Sequence, residues 1–248
     1  MTGGAFGPLF YGGHPMKQAL LTGLPELHIA LSQAQTDTLC GFGDALLEKN
    51  KVMNLTAITE PEDVARLHFL DCLALLNILN LREQSVIDVG CGAGFPGVPL
   101  KIADPSLSLT LLDSLGKRID WLAETLPGLG VEAECVSARA EEFAGEHRET
   151  YDVAVSRAVA RLNVLSELCL PLVRVGGAFL AMKGTDSEEE ISQAAHGITT
   201  LGGKVERIAD YPIPGTETIH RAVVIRKVRP TPKQYPRRYA KIKQSPLT

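Results

Sequence analysis

Between Ser85 and Leu100 the chain reads SVIDVGCGAGFPGVPL, and this stretch constrains the fold more than any other. A short apolar run ends on an acid, Asp88, and glycines follow at 90, 92, 94 and 97. The pattern is that of a strand, a tight turn and a helix in an α/β nucleotide-binding domain. Glycine serves such a turn because a side chain would block both the sharp reversal and the close approach of a ligand to the backbone. Free amides at the start of the following helix then face a polar or anionic ligand.

The spacing allows two cofactors. Gly92, Gly94 and Gly97 satisfy G-x-G-x-x-G, the dinucleotide fingerprint. The overlapping D-x-G-x-G-x-G from Asp88 to Gly94 points instead to S-adenosylmethionine (AdoMet) methyltransferases.

Elements around the turn fit a doubly wound sheet. Leu31 to Asn50 has helical spacing, with Ser32 and Gln35 placed as a capping box. Thr59 and Glu62, with Pro61 between them, announce a second helix running to about Leu79. From Ser85 onward strands and helices alternate. Strands are expected at 85–89, 107–112, 131–136, 151–156 and 177–182, and helices near 96–103, 116–126, 158–173 and 187–201. Two last apolar runs, 204–211 and 220–228, flank PIPGTETIH as an antiparallel hairpin. The expected architecture is α/β: a Rossmann-like class I AdoMet methyltransferase sheet with a closing antiparallel hairpin and an N-terminal helical segment. The expected division is a loose glycine-rich extension over 1–30, a helical cap over 31–82, the catalytic domain over 83–228 and a basic tail over 229–248.

Composition bounds the function. A chain of 248 residues, 45% hydrophobic and 22% charged, is an ordinary globular protein, with no apolar run long enough to span a bilayer. Its N-terminus does not read as a signal peptide. Five scattered cysteines without a C-x-x-C pair, and six scattered histidines, predict a reduced cytoplasmic protein with no metal site. Charge is uneven: residues 226–248 hold eight basic residues and no acid, leaving 17 basic against 29 acidic residues elsewhere. An acidic body with a basic tail suggests a polyanionic partner at one edge.

Candidate site residues sit where strands end. Asp113, closing the second strand, is placed to accept ribose hydroxyls. Ala140 and Glu141, after the third strand, lie beside an adenine pocket, or else form a solvated acidic helix turn. Arg157, ending the fourth strand, binds a cofactor carboxylate, a phosphate or a base edge, or pairs structurally with a nearby acid. Lys183 has a comparable but weaker position, His68 reads as a packed helix residue, and Cys91 as a small packing residue. In the tail, Arg229, Lys233, Arg237, Arg238, Lys241 and Lys243 are candidates for RNA phosphates, with Tyr235 and Tyr239 for stacking.

Several segments together resemble one family. NLTAITEPEDVARLHFLDCLAL, IDVGCGAGFPGVPL, LLDSLGKRIDWL, SRAVARLNVLSEL, LAMKG and the basic tail, in this order, are similar to the 16S ribosomal RNA guanine-N7 methyltransferases, also called glucose-inhibited division protein B. The resemblance covers about Asn50 to the C-terminus. It implies AdoMet-dependent methylation of N7 of one guanine in 16S rRNA, with 16S rRNA or the assembling small ribosomal subunit as partner and no DNA or membrane. Its cofactor contacts fall on Gly90, Phe95, Ala140, Glu141 and Arg157. Cys91, where threonine is more usual, and a tail lacking the glycine of many relatives are departures. The chemistry matches the lack of an obvious general base, since guanine N7 offers a lone pair and carries no proton.

Three rivals remain at this level: a methyltransferase for a protein or small molecule, an NAD(P)-dependent oxidoreductase, and a catalytically silent RNA-binding protein. The acid at Asp88 and the closing hairpin argue against the oxidoreductase.

Overall fold

The computed structural model describes residues 13–157 and 160–248. Its N-terminal part is helical: α1 spans Pro15–Glu26 and α2 Gln33–Met53. The expected capping box opens α2, with Ser32 Oγ accepting from the Gln35 amide and Gln35 Oε1 accepting from the Ser32 amide. A further helical stretch follows, in which α3 (Pro61–Asp63), a π-helical turn (Val64–Leu70), α4 (Asp71–Leu73) and a 3-10 turn (Ala74–Asn77) succeed one another.

Two expectations are corrected here. The segment expected as a loose extension over 1–30 contains α1, which buries Met16, Leu20 and Leu24. Glycine content hid an apolar stripe long enough to pack. The Thr59–Glu62 box does not form. Pro61 occupies the first helical position, so Glu60 is the N-cap, and Glu62 pairs with Arg66 at 3.2 Å instead.

The remainder alternates strands and helices: β1 Ser85–Val89, α5 Gly97–Ala103, β2 Ser108–Asp113, α6 Gly116–Thr125, β3 Glu134–Ser137, α7 Ala140–Glu146, β4 Tyr151–Arg157, α8 Leu162–Cys169, β5 Val173–Gly184, α9 Glu188–Thr200, β6 Gly203–Pro212 and β7 Ile219–Lys227. A last helix, α10, spans Tyr239–Gln244. The third strand starts later than expected and the fifth is longer at both ends. The helix expected over 158–173 is shorter, and residues 158 and 159 lie outside the described residues.

The seven strands form one sheet in the order β3-β2-β1-β4-β5-β7-β6. β1 pairs in parallel with both β2 and β4, so Asp88 faces Leu111 on one side and Val155 on the other. The order reverses between β1 and β4, and the carboxyl ends at such a point open a ligand crevice. The hairpin β6–β7 closes the sheet antiparallel against β5, as expected.

Successive residues of β1 serve opposite faces: Val86 joins a core with Phe42, Phe69 and Trp121, and Ile87 one with Leu165, Phe179 and Ile242. The N-terminal helices share the first core with the sheet, and α10 is anchored in the second.

Candidate functional site

A cavity of about 570 Å³ opens at the carboxyl edge over the β1–β4 switch point. Gly90, Phe95, Asp113, Ala140, Glu141 and Arg157 all line it. Four elements contribute: the turn after β1, the end of β2, the start of α7 and the end of β4.

The glycine turn is held from two sides. Gly90 and Cys91 donate backbone hydrogen bonds to the Leu112 carbonyl at 2.7 and 3.1 Å, which ties the turn to β2. Asp88, fully buried beneath it, accepts from the Gly97 amide at 2.7 Å through Oδ2, while its Oδ1 has no hydrogen-bond partner among the described residues. Burial pushes the Asp88 carboxyl up to about 7. Gly92 has φ +56°, and a Cβ there would face the cavity, its nearest neighbour Arg118 Nη1 at 3.8 Å. The absence of side chains therefore leaves the backbone flush with the cavity wall.

Asp113 is mostly buried, and both its oxygens hold local backbone: Oδ2 accepts from Gly92 at 2.9 Å and Oδ1 from Leu115 at 2.8 Å. Each carboxylate oxygen keeps a second acceptor position for a ligand hydroxyl. Ala140 and Glu141 begin α7, so the acidic helix turn and the pocket wall are the same residues. Glu141 pairs with Arg139 at 3.3 Å.

Arg157 is gripped from the N-terminal helices. Its Nη1 donates to Asp71 Oδ2 at 3.3 Å, its Nη2 to His68 Nδ1 at 3.0 Å, and the guanidinium lies 4.8 Å from the centre of the Phe95 ring. Asp71, only 1% exposed, also accepts from the Tyr211 hydroxyl and from His220 Nδ1, each at 2.9 Å. The binding and structural readings of Arg157 thus coexist: it faces the cavity and is paired with an acid.

Sequence reasoning missed other walls. His68 is packed as expected, stacked on Phe95 at 4.5 Å, yet it also lines the cavity. Burial, and then the Arg157 charge, hold its imidazole down at about 3, so it is neutral. Its Nε2 donates to Thr56 Oγ1 at 2.8 Å. Thr56 and Leu55 reach the cavity because the Asn50 side chain pins their loop, accepting from both amides and donating to the Thr56 carbonyl. The NLT triplet was visible in the sequence but carried no local signal of this role. Lys183 stays out of the cavity, held by Glu190 at 2.6 Å and the Ala160 carbonyl at 2.7 Å.

The tail is docked, not loose. Arg237 forks onto Glu167, which is fully buried, at 2.8 and 2.6 Å. That pairing, missed in the sequence, occupies one of the six candidate phosphate ligands. Arg229 donates to the Thr199 carbonyl at 2.6 Å but stays exposed, as do Lys233, Arg238, Lys241 and Lys243.

The family model for rRNA small subunit methyltransferase G matches residues 35–215. A ribosomal RNA small subunit methyltransferase G from Alkaliphilus metalliredigens is 47% identical, over 93% of this chain and 98% of its own length. The chain belongs to this family. Another member, from Clostridium botulinum strain Loch Maree, is 44% identical over 90% of this chain and 95% of its own. Among solved structures, a methyltransferase from Pyrococcus furiosus shares the fold, with a TM-score of 0.54 over 75% of this chain and 98% of its own, at 12% identity. Family and fold agree with the class I methyltransferase architecture expected from the glycine turn and the closing hairpin. Among the described residues no helix is long and apolar enough to cross a membrane, and no cluster of His, Cys, Asp and Glu is built to hold a metal ion.

Proposed function

We propose that this chain is an AdoMet-dependent enzyme that methylates N7 of a specific guanine in 16S rRNA, alone or in the assembling small subunit, in the cytoplasm. The observation that carries the reading is the convergence of all six expected cofactor residues on one cavity at the switch point.

The cavity suits AdoMet in size and in donor set. Its volume of about 570 Å³ lies within the range of small-molecule sites. Side-chain-free turn residues, the Asp113 carboxylate for ribose hydroxyls, Ala140 and Glu141 for adenine, and Arg157 for a carboxylate match the parts of that molecule. When bound, AdoMet supplies a methyl group activated by a sulfonium.

The chain's own task is positioning. Guanine N7 has no proton to lose, so the transfer needs no general base, and the imidazole that lines the cavity, His68, is neutral with both nitrogens engaged. Holding two reactants in line is worth roughly 7–11 kcal/mol, enough for much of the acceleration. The methylated ring is cationic, and an unpaired arginine beside it would oppose the reaction. Asp71 offsets the Arg157 charge and so limits that opposition.

The tail supplies cations for RNA phosphates through Arg229, Lys233, Arg238, Lys241 and Lys243, with Arg237 committed to Glu167. Transfer from labelled AdoMet to 16S rRNA, with and without ribosomal proteins, followed by nucleoside analysis, tests the reading. Labelled 7-methylguanosine is expected; AdoMet binding without transfer to any RNA form overturns the rRNA assignment. Arg157→Ala is expected to weaken AdoMet binding by about tenfold or more, the loss of a charge-assisted contact. Unchanged affinity and turnover would remove Arg157 from the site.

A further inference from the structure

The tail does more than carry charge. The matched family model ends at residue 215, yet Tyr239, at the start of α10, lines the 570 Å³ cavity. Its ring is covered by the Arg139 guanidinium, 4.1 Å from the ring centre. Arg139 is the residue before Ala140 and pairs with Glu141. Beyond this Arg139–Tyr239 pair lies a second cavity of about 380 Å³, lined by Glu142 and by Pro236 to Ala240, which shares Arg139, Glu141 and Tyr239 with the first. The pair is therefore a partition between the cofactor cavity and a groove of the basic tail.

This partition is built, because the tail reaches it along a chain of buried and half-buried anchors. Lys227 is fully buried and donates to the carbonyls of Leu170 and Val173. Arg148 gathers the carbonyls of Thr231, Pro232 and Tyr235. The Arg237–Glu167 fork bolts the next turn to α8, whose Leu168 is itself a wall of the cavity. Ile242, on the next turn of α10 after Tyr239, is fully buried in the core.

We propose that the C-terminal tail is part of the cofactor site, with Tyr239, fixed by Arg139, as an aromatic wall for the adenine of AdoMet. The inference rests on the reading of the cavity as the AdoMet site. Adenine is the fitting moiety because Arg139 leads directly into Ala140 and Glu141, and an aromatic face recognises any flat base by stacking. Arg238, Lys241 and Lys243 stand exposed on the same short segment, so phosphates bound there hold the wall in place. RNA and AdoMet then favour each other's binding by the same factor.

Calorimetric titration of AdoMet into the full chain and into Tyr239→Phe and Tyr239→Ala tests this, with the melting temperature of each protein taken without ligand. Tyr239→Phe is expected to bind within about twofold of the natural chain, and Tyr239→Ala about tenfold or more weaker, the size of one lost base–aromatic stack. In the unaltered protein, AdoMet is expected to slow amide exchange across residues 235–244. Full affinity in a folded Tyr239→Ala, or tail exchange indifferent to AdoMet, overturns the inference while leaving the cofactor site standing. Failure of the unaltered protein to bind AdoMet overturns both. Should Tyr239→Ala not fold, exchange in the unaltered protein decides.

Discussion

Two glycines of one turn do different work, and substituting each separates packing from binding. A Cβ at Gly97 would meet Asp88 Oδ2 at 2.9 Å and Leu111 Cδ2 at 2.9 Å, both in the core. Gly97→Ala is therefore expected to cost about 1–3 kcal/mol of stability through overpacking. Thermal unfolding checks this, with a fall of roughly 2–10 °C expected. A Cβ at Gly92 makes only an ordinary contact, with Arg118 Nη1 at 3.8 Å, so Gly92→Ala pays the left-handed backbone penalty of about 1–2 kcal/mol, but its methyl intrudes on the cavity and weaker AdoMet binding is its main expected effect. His68 gives a second test at this scale. Folding lowers its pKa from 6.5 to about 3, so below pH 6.5 the unfolded chain takes up a proton that the folded chain refuses. Its contribution to stability is thus lost as pH falls from about 6.5 towards 3. His68→Gln, which keeps an acceptor and a donor, is expected to gain on the unaltered protein over that window, by about 2 kcal/mol or more at pH 4. Denaturant melts of both proteins at several pH values read the difference, and parallel curves would refute it.

At the scale of elements, the tail and the helical segment 61–77 differ most from their local sequence signals. A run of cations without an acid reads as solvated chain, but Arg237 and Lys227 find Glu167 and Glu149, residues remote in sequence. The exposed cations left on the tail predict a measurable salt dependence. Three or four engaged phosphates give a log–log slope of RNA affinity against salt of about −2 to −4. Replacing both Lys241 and Lys243 by Gln is expected to flatten that slope by about 1–2, read by filter binding across a salt series. An unchanged slope would place the RNA elsewhere. In the helical segment, the π-helical turn Val64–Leu70 carries His68 and runs directly into Asp71, and both grip Arg157. Such turns recur at functional sites, but their hydrogen-bond shift has no period that hydrophobic patterning can report.

Across the whole molecule, one buried carboxylate joins three parts distant in sequence. Asp71 belongs to the N-terminal helices, Arg157 ends β4, and Tyr211 and His220 sit on the closing hairpin. Removing that acid strands Arg157, so Asp71→Ala is expected to cost about 3–5 kcal/mol, seen as a melting temperature lowered by roughly 6–20 °C. A single cooperative transition should persist, because the helices and the sheet share one hydrophobic core. Two separate transitions in calorimetry would contradict that packing.

What the sequence determined alone is what local rules encode. The strand–turn–helix at Asp88 to Gly97, the alternation of strands and helices, the capping box at Ser32 and the closing hairpin depend on residues near one another in the chain. Strand-end positions such as Asp113 and Arg157 followed from the topology those elements impose. Tertiary structure alone decided which partners the charges found: Asp71 for Arg157, Glu167 for Arg237, and Arg139 for Tyr239. It alone folded Pro15–Glu26 onto the core and brought the tail to the cavity wall. Those outcomes turn on burial and on contacts between residues dozens of positions apart, and desolvation, which makes a buried charge seek a partner, leaves no mark on the local sequence.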